Sequence, residues 1–380
     1  MKVMTVFGTR PEAIKMAPLV KALNETQGID SVLCVTAQHR EMLDQVLELF
    51  QLTPDYDLNI MKPNQTISQI TANVITGIEE VFIKEKPDLV LVHGDTTTTF
   101  ATSLAAFYQQ IKVGHVEAGL RTYDKYSPWP EEINRVLTGH IADLHFSPTE
   151  RNRQNLLREA IDDRSIFITG NTVIDALLEV MNKPYEFEEP TLKNLDFVKK
   201  RVIAVTCHRR ENLGENMHNI FNAIKDIVLE FDDVEVVYPM HMNPKVREIA
   251  NEILGIVSDR IHLIEPLQYQ PFVNLMAKSY FIITDSGGMQ EEAPSIGKPV
   301  LVVRKETERP EALEAGTVKL AGVERESIYA MAKELLTDRE AYEKMAHAEN
   351  PYGDGTACKQ IVAILLKEFG GKMKEAKEKS

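Results

Sequence analysis

Leu89-Val90-Leu91-Val92-His93-Gly94-Asp95-Thr96-Thr97-Thr98-Thr99 decides the fold. Four consecutive apolar residues with no polar alternation read as a parallel strand covered on both faces. The Gly-Asp-Thr that follows is a turn leading into a helix. Working outward, similar short runs recur in the first half at 2–7, 31–36, 112–116, 144–146 and 165–168. In the second half they recur at 201–206, 234–238, 261–264, 281–284, 300–303 and 317–320. Amphipathic stretches such as Glu12–Leu23 and Thr66–Lys84 separate them, and strand–helix alternation of this kind predicts doubly wound α/β units. A polar stretch with two prolines, 183–194, reads as the linker, with six strands before it and six after. The expectation is two Rossmann-like domains, 1–170 and 171–365, followed by a solvated, Lys- and Glu-rich tail, 366–380.

The composition narrows the class of function. At 380 residues the chain exceeds the roughly 150 of one ordinary domain, and 43 Lys and Arg against 57 Asp and Glu give a net charge of −14. An acidic chain repels a phosphate polymer, so no nucleic-acid partner is expected, whereas a pocket for a small phosphorylated ligand needs only a few cations. Cys34, Cys207 and Cys358 show no C-x-x-C spacing, which argues against a disulfide framework or thiolate zinc site. The apolar run at the start is too short for a signal-peptide core, and none approaches a membrane span. A soluble cytoplasmic protein with no membrane partner is expected.

In open α/β sheets ligands bind beyond the carboxyl ends of the strands, so the residues that follow each run carry the functional reading. Ser286-Gly287-Gly288 before Met289-Gln290-Glu291-Glu292 suits an anion: the serine could cap the helix, and the glycines would bring backbone N–H groups near a phosphate. Arg10, with Lys15 about a turn on, could meet the same phosphates. Asp95, Glu117 and Glu131 are three acids on or near strand-end loops, the groups that proton transfer at carbon requires. Asp95 could instead cap the Thr-rich helix, Glu131 after Pro130 could serve a helix dipole, and Glu117 could pair with Arg121 or Arg135. His208 stands at a strand end ahead of Arg209 and Arg210, where it would be mostly neutral or would help to hold an anionic leaving group. No H-E-x-x-H or comparable spacing is present, so no metal is expected. The G-x-G-x-x-G dinucleotide fingerprint, the P-loop and the G-x-S-x-G elbow are all missing.

Longer blocks are more specific than any of these. Val6–Lys15, Val92–Thr99, Gly114–Arg121, Ser127–Glu132, His208–Glu211, Thr284–Pro294, Thr307–Pro310 and Asn350–Gly355 together resemble the bacterial non-hydrolysing UDP-N-acetylglucosamine 2-epimerases, in order along almost the whole chain. The resemblance implies a GT-B fold, with the active site in the cleft between two Rossmann-like domains and the last helix packed back on the first domain. It also implies a homodimer, no cofactor, and binding of UDP-GlcNAc, UDP-ManNAc and UDP, supplying ManNAc for cell-surface polysaccharide. Carried over by motif position, Asp95, Glu117 and Glu131 fall on the catalytic acids and His208 on the active-site histidine. Arg10, Lys15, Ser286, Gly287, Gly288, Glu292 and Arg309 fall on nucleotide-sugar positions, with Glu292 at the ribose. Phe272 and the backbone of Leu267 match the segment that lines the uracil.

The implied chemistry agrees with what the chain lacks. The C2 proton of GlcNAc has no adjacent carbonyl, so a carboxylate cannot abstract it directly. Transient oxidation would need NAD, whose fingerprint is missing. Expulsion of UDP first, assisted by cations and helix N-terminal amides, leaves C1 electron-poor. Loss of the C2 proton then gives a 2-acetamidoglucal, and its return on the opposite face with re-addition of UDP inverts C2. Gln38-His39-Arg40-Glu41 partly matches a region where some relatives bind a second UDP-GlcNAc as activator. The alternatives weighed are a hydrolysing epimerase, a glycosyltransferase on the same fold, and a non-catalytic UDP-sugar sensor.

Overall fold

The computed structural model describes every residue except 38–39, 256, 258 and 379–380, with the backbone alone at 40–41 and 371–378. The chain forms two compact units, Met1–Leu178 with Tyr352–Ser380, and Glu179–Pro351.

The first unit holds a seven-stranded sheet: β1 (Lys2–Phe7), β2 (Asp30–Val35), β3 (Tyr56–Asp57), β4 (Leu89–His93), β5 (Lys112–Val116), β6 (Leu144–Ser147) and β7 (Ile166–Ile168). They lie in the order β3-β2-β1-β4-β5-β6-β7, and every pairing is parallel. β3 was not expected. It is only two residues long and pairs at Cys34↔Tyr56 and Val35↔Asp57, too short to leave a periodic signal. The second unit holds β8 (Arg201–Thr206), β9 (Val234–Pro239), β10 (Ile261–Ile264), β11 (Phe281–Thr284), β12 (Val300–Val302) and β13 (Val318–Leu320). Their order, β10-β9-β8-β11-β12-β13, is again wholly parallel.

The apolar runs form strands because both faces are covered. Val90 and Val92 pack with Met4, Val6, Ile78 and Phe82 in the first unit. Ile203, Val205, Phe221, Tyr238 and Ile283 pack together in the second. Burying one such side chain contributes about 1.5–3 kcal/mol.

The expected boundaries are corrected in three places. The stretch 183–194 is not a free linker. Phe187 and Leu192 are buried in the second unit, Phe187 stacks on Phe197 at 5.7 Å, and 190–194 is helical. Aromatic anchors spaced through a polar segment have no period, which hid this packing from the sequence. The first break falls after Leu178 rather than at 170, because the helix Thr172–Met181 stays with the first unit as far as Leu178. Its Asp175 accepts the backbone N–H of Cys358 at 2.9 Å, and a Cβ on Gly355 would stand 2.5 Å from Leu178. The chain rejoins the first unit at Tyr352, and the segment expected as a tail continues the helix Ala357–Glu378, which packs on the helix Arg10–Asn24. Its Lys and Glu residues are good helix formers.

Candidate active site

Each sheet changes winding direction at one point, between β1 and β4 and between β8 and β11. That is where doubly wound sheets bind ligands, and Arg10, Asp95, His208 and Ser286 follow the four strands at these points.

In the first unit the turn after β1 is drawn tight. A Cβ on Gly8 would lie 2.0 Å from Oγ1 of Thr36 and 2.6 Å from that of Thr98, so only glycine fits. Glu12, 2 % exposed, accepts the backbone N–H groups of Gly8 and Thr9 at 3.1 and 2.8 Å. Its other oxygen accepts the hydroxyls of Thr96 and Thr99 at 2.7 and 3.1 Å. One buried carboxylate thus ties the loop after β1 to the loop after β4 through neutral donors. Arg10, half-buried, opens the helix that this capping box starts.

Lys15 lies on the same helix, and its ammonium donates to Oε2 of Glu117. The same oxygen accepts Nδ2 of Asn171 at 2.9 Å and stands 3.5 Å from Nε2 of His93. Glu117 is only 11 % exposed and sits at φ = 60°, left-handed backbone that costs a non-glycine residue of order 1–3 kcal/mol. Burial pushes its carboxyl up, but Lys15 and His93 outweigh that and hold it well below the usual carboxylate range. The expected alternative partners are engaged elsewhere. Arg121 donates to Glu159 at 2.7 Å, and Arg135 to Asp95 at 2.5 Å.

Asp95 does not cap the following helix. Thr96 does, accepting the N–H of Thr99 at 3.1 Å. Glu131 is half-buried in the first turn of the helix Glu131–Ile141, whose Arg135 holds Asp95 and whose Asn134 donates to the Asp95 carbonyl at 3.0 Å. The neighbouring Glu132 is 2 % exposed and accepts the N–H of Tyr123 at 2.8 Å.

In the second unit Asp285, fully buried, follows β11. Its Oδ2 accepts the backbone N–H groups of His208 and Arg209 at 2.9 and 2.8 Å and Nδ2 of Asn212 at 3.0 Å. The turn after β8 is therefore folded onto the end of β11. The half-exposed His208 ring stacks on His241 at 4.9 Å and 10°. Burial first, then the charges of His241 and Arg209, lower its pKa against the pull of Asp285, so the imidazole is neutral at pH 7. Ser286 occupies the N-cap of the short helix Gly287–Glu292 but makes no side-chain capping bond, contrary to expectation. Instead its N–H donates to the Thr284 hydroxyl at 2.9 Å. A Cβ on Gly287 would stand 3.6 Å from Arg209, 3.8 Å from Glu308 and 4.0 Å from Arg309, so charged ends surround this glycine. Arg309, 9 % exposed, donates through Nε to Glu291. Glu292 accepts the Tyr269 hydroxyl at 3.2 Å, on the helix Tyr269–Lys278 that carries half-buried Phe272; Leu267 lies two residues before that helix. Residues 38–39 of the supposed activator stretch lie outside the described residues, as do the side chains of 40–41. Among the described residues no cluster of metal-ligating side chains occurs, and no helix is long and apolar enough to cross a membrane.

The family model described as UDP-N-acetylglucosamine 2-epimerase matches residues 21–366. The UDP-N-acetylglucosamine 2-epimerase of Bacillus subtilis is 61% identical over 370 residues, 97% of this chain and 96% of that one. This chain belongs to the UDP-N-acetylglucosamine 2-epimerase family. The enzyme of that name from Escherichia coli K12 is 58% identical over 370 residues, covering 96% of this chain and 98% of its own. The crystal structure of UDP-GlcNAc 2-epimerase from Neisseria meningitidis, bound to UDP-GlcNAc, superposes with a TM-score of 0.86 at 55% identity, over 97% of this chain and all of that one (100%). The fold of this epimerase-family enzyme is accordingly GT-B, with two parallel Rossmann-like sheets.

Within this family member, the structure brings Lys15 and Glu117 together and sets Asp95 and Glu131 at the start of neighbouring helices. Sequence reasoning assigned no role to Glu12, His93, Asn171 or Asp285. All four are polar and almost wholly buried, and each sits at a strand end or within five residues of one. That position was the available signal.

Proposed function

We propose that this enzyme interconverts UDP-GlcNAc and UDP-ManNAc by eliminating UDP and adding it back, through a 2-acetamidoglucal. On this reading the first unit supplies the acids and the second holds the nucleotide. The observation that carries it is Glu117, desolvated yet held ionised at a strand end by Lys15 and His93. A carboxylate kept charged in a low-dielectric setting is ready to stabilise an electron-poor C1 and to take the C2 proton. Asp95 and Glu131 supply the further acid groups that return of the proton requires. Lys15 has three N–H donors and is able to hold Glu117 and a phosphate oxygen together. Arg10, Ser286, Gly287, Gly288 and Arg309 receive the pyrophosphate, Glu292 the ribose, and Phe272 with the Leu267 backbone the uracil. His208, neutral and stacked on His241, assists the departing phosphate. The family resemblance supports a cytoplasmic homodimer that supplies ManNAc units for cell-surface polysaccharide and needs no cofactor.

The test is a proton NMR time course with UDP-GlcNAc in D2O and no nicotinamide. UDP-ManNAc should rise to a fixed ratio with deuterium at C2. Free ManNAc and UDP accumulating to completion would instead assign the hydrolysing reaction.

A further inference from the structure

Oε2 of Glu117 accepts hydrogen bonds from Lys15 and Asn171 and stands 3.5 Å from Nε2 of His93, whereas Oε1 lies 3.7 Å from the position a Cβ on Gly94 would take. The two oxygens of this carboxylate are therefore unequal. One is held by donors, and the other faces a glycine with no side chain to screen it. Asn171 is 2 % exposed and bonded on every side. Its Nδ2 donates to Glu117 at 2.9 Å, its Oδ1 accepts the N–H of Val173 at 3.1 Å, and its own N–H donates to the carbonyl of Tyr352 at 2.7 Å. Gly170, at φ = 80°, and Gly353 let the two chain segments touch. A Cβ on Gly170 would stand 3.0 Å from the Tyr352 carbonyl oxygen, and one on Gly353 would stand 3.3 Å from the Gly170 Cα.

We propose that Asn171 is a positioning residue: it fixes the rotation of the Glu117 carboxylate so that Oε1 is the oxygen offered to the sugar, and it is itself anchored where the returning chain meets the first unit. The assignment rests on Glu117 acting at the sugar. Asparagine suits the place because it donates to a carboxylate and accepts from a helix N-terminus with one short amide. Aspartate keeps the shape and the acceptor but reverses the charge relation with Glu117. The titratable groups acting on Glu117 are Lys15, from the helix Arg10–Asn24, and His93, at the end of β4. With these unchanged, a second negative charge shifts the carboxyl of Glu117 upward.

The experiment compares N171D, N171A and E117Q in the full-length enzyme, reading kcat, KM and the pH profile of kcat with UDP-GlcNAc, together with UDP affinity and Tm. In N171D the helix cap survives and Tm holds. kcat should fall ~10²-fold, its acid limb should move up by ~1 pH unit, and KM and UDP affinity should stay within ~3-fold. N171A, which retains the backbone bond to Tyr352, should lose ~10-fold in kcat. A merely structural role would leave N171D active with an unmoved pH profile, and that result overturns the positioning role while E117Q stays inactive. Near-normal turnover in E117Q would overturn the reading of Glu117 and this assignment with it.

Discussion

Glu117 and Asp285 are both carboxylates set just past the carboxyl end of a parallel strand, in sheets of the same winding order. Their surroundings differ in kind. Glu117 is reached by an ammonium, an imidazole and one amide, the first two of which hold it ionised, and it sits on left-handed backbone. Asp285 accepts two backbone N–H groups and a buried amide on one oxygen, while its other oxygen makes no hydrogen bond and stands 3.7 Å from Nδ1 of His208. Fixed N–H dipoles hold a loop in shape, whereas mobile charged side chains set how readily a carboxylate binds a proton. The same topology thus yields a carboxylate fit for chemistry in one unit and a carboxylate that builds a binding loop in the other. Glu12 sharpens the contrast: it lies in the first unit but has only hydroxyl and N–H donors around it, and it too ties loops together.

The contrast breaks first if Glu117 proves dispensable. Glu117→Gln keeps the size and one acceptor oxygen but removes charge and basicity. Steady-state kinetics should show kcat lower by ~10²-fold or more, with UDP affinity measured by calorimetry nearly unchanged. A loss confined to KM would put Glu117 in binding rather than in proton transfer.

Asp285→Asn tests the other side. The amide keeps the shape but weakens the bonds that seat the turn at His208 and Arg209 beside Ser286. Hydrogen bonds to a charged acceptor contribute about 1.5–3 kcal/mol. Loss of part of that should weaken UDP binding ~10- to 30-fold, while kcat at saturation changes less. An equal fall in kcat with UDP affinity intact would make Asp285 a catalytic partner of His208 and erase the distinction between the two carboxylates.

How much of this was legible depends on what each residue does. Twelve of the thirteen strands among the described residues stand where continuous apolar runs predicted them, because burial on both faces leaves a direct mark on sequence. The two-residue β3 left none, and Phe187 and Leu192 packed a segment whose polar residues and prolines suggested a linker. At the site, the acids stood out as charged groups in strand-end loops. Their partners did not, since Lys15, 102 residues before Glu117, and Asn171, 54 after it, meet it only through the sheet order. His93 closes a strand and Asn171 directly precedes a helix, positions that do not mark either as a partner of Glu117. The short-range cue at Ser286 misled in the other direction, as the cap it promised is not made.

The smallest predicted effect separates the two units by stability. His115 and His145 lie side by side on β5 and β6. Burial, the first cause for both, pushes His115 down to about 3 and lowers His145, each against a hydrogen bond to a backbone carbonyl. The unfolded chain binds protons at these histidines near pH 6.5 while the folded one does not, so acid favours unfolding. The stability they contribute is intact above that pH and drains away below it, by about 1.4 kcal/mol for His115 alone between pH 7.5 and 5.5, with His145 adding in the same direction. The pKa of Glu117 is depressed, so its contribution is lost only as pH falls below the ordinary carboxylate range and does not interfere. In the second unit His208 is shifted the same way but is half-exposed, so solvent screens most of its effect. Amide hydrogen exchange at pH 7.5 and 5.5, corrected for intrinsic rates, should show protection falling in β4–β6 by about a factor of ten more than in β8 and β11. Equal losses in both sheets would mean that the buried histidines do not govern the acid limit, and that the units differ in site chemistry but not in how they respond to protons.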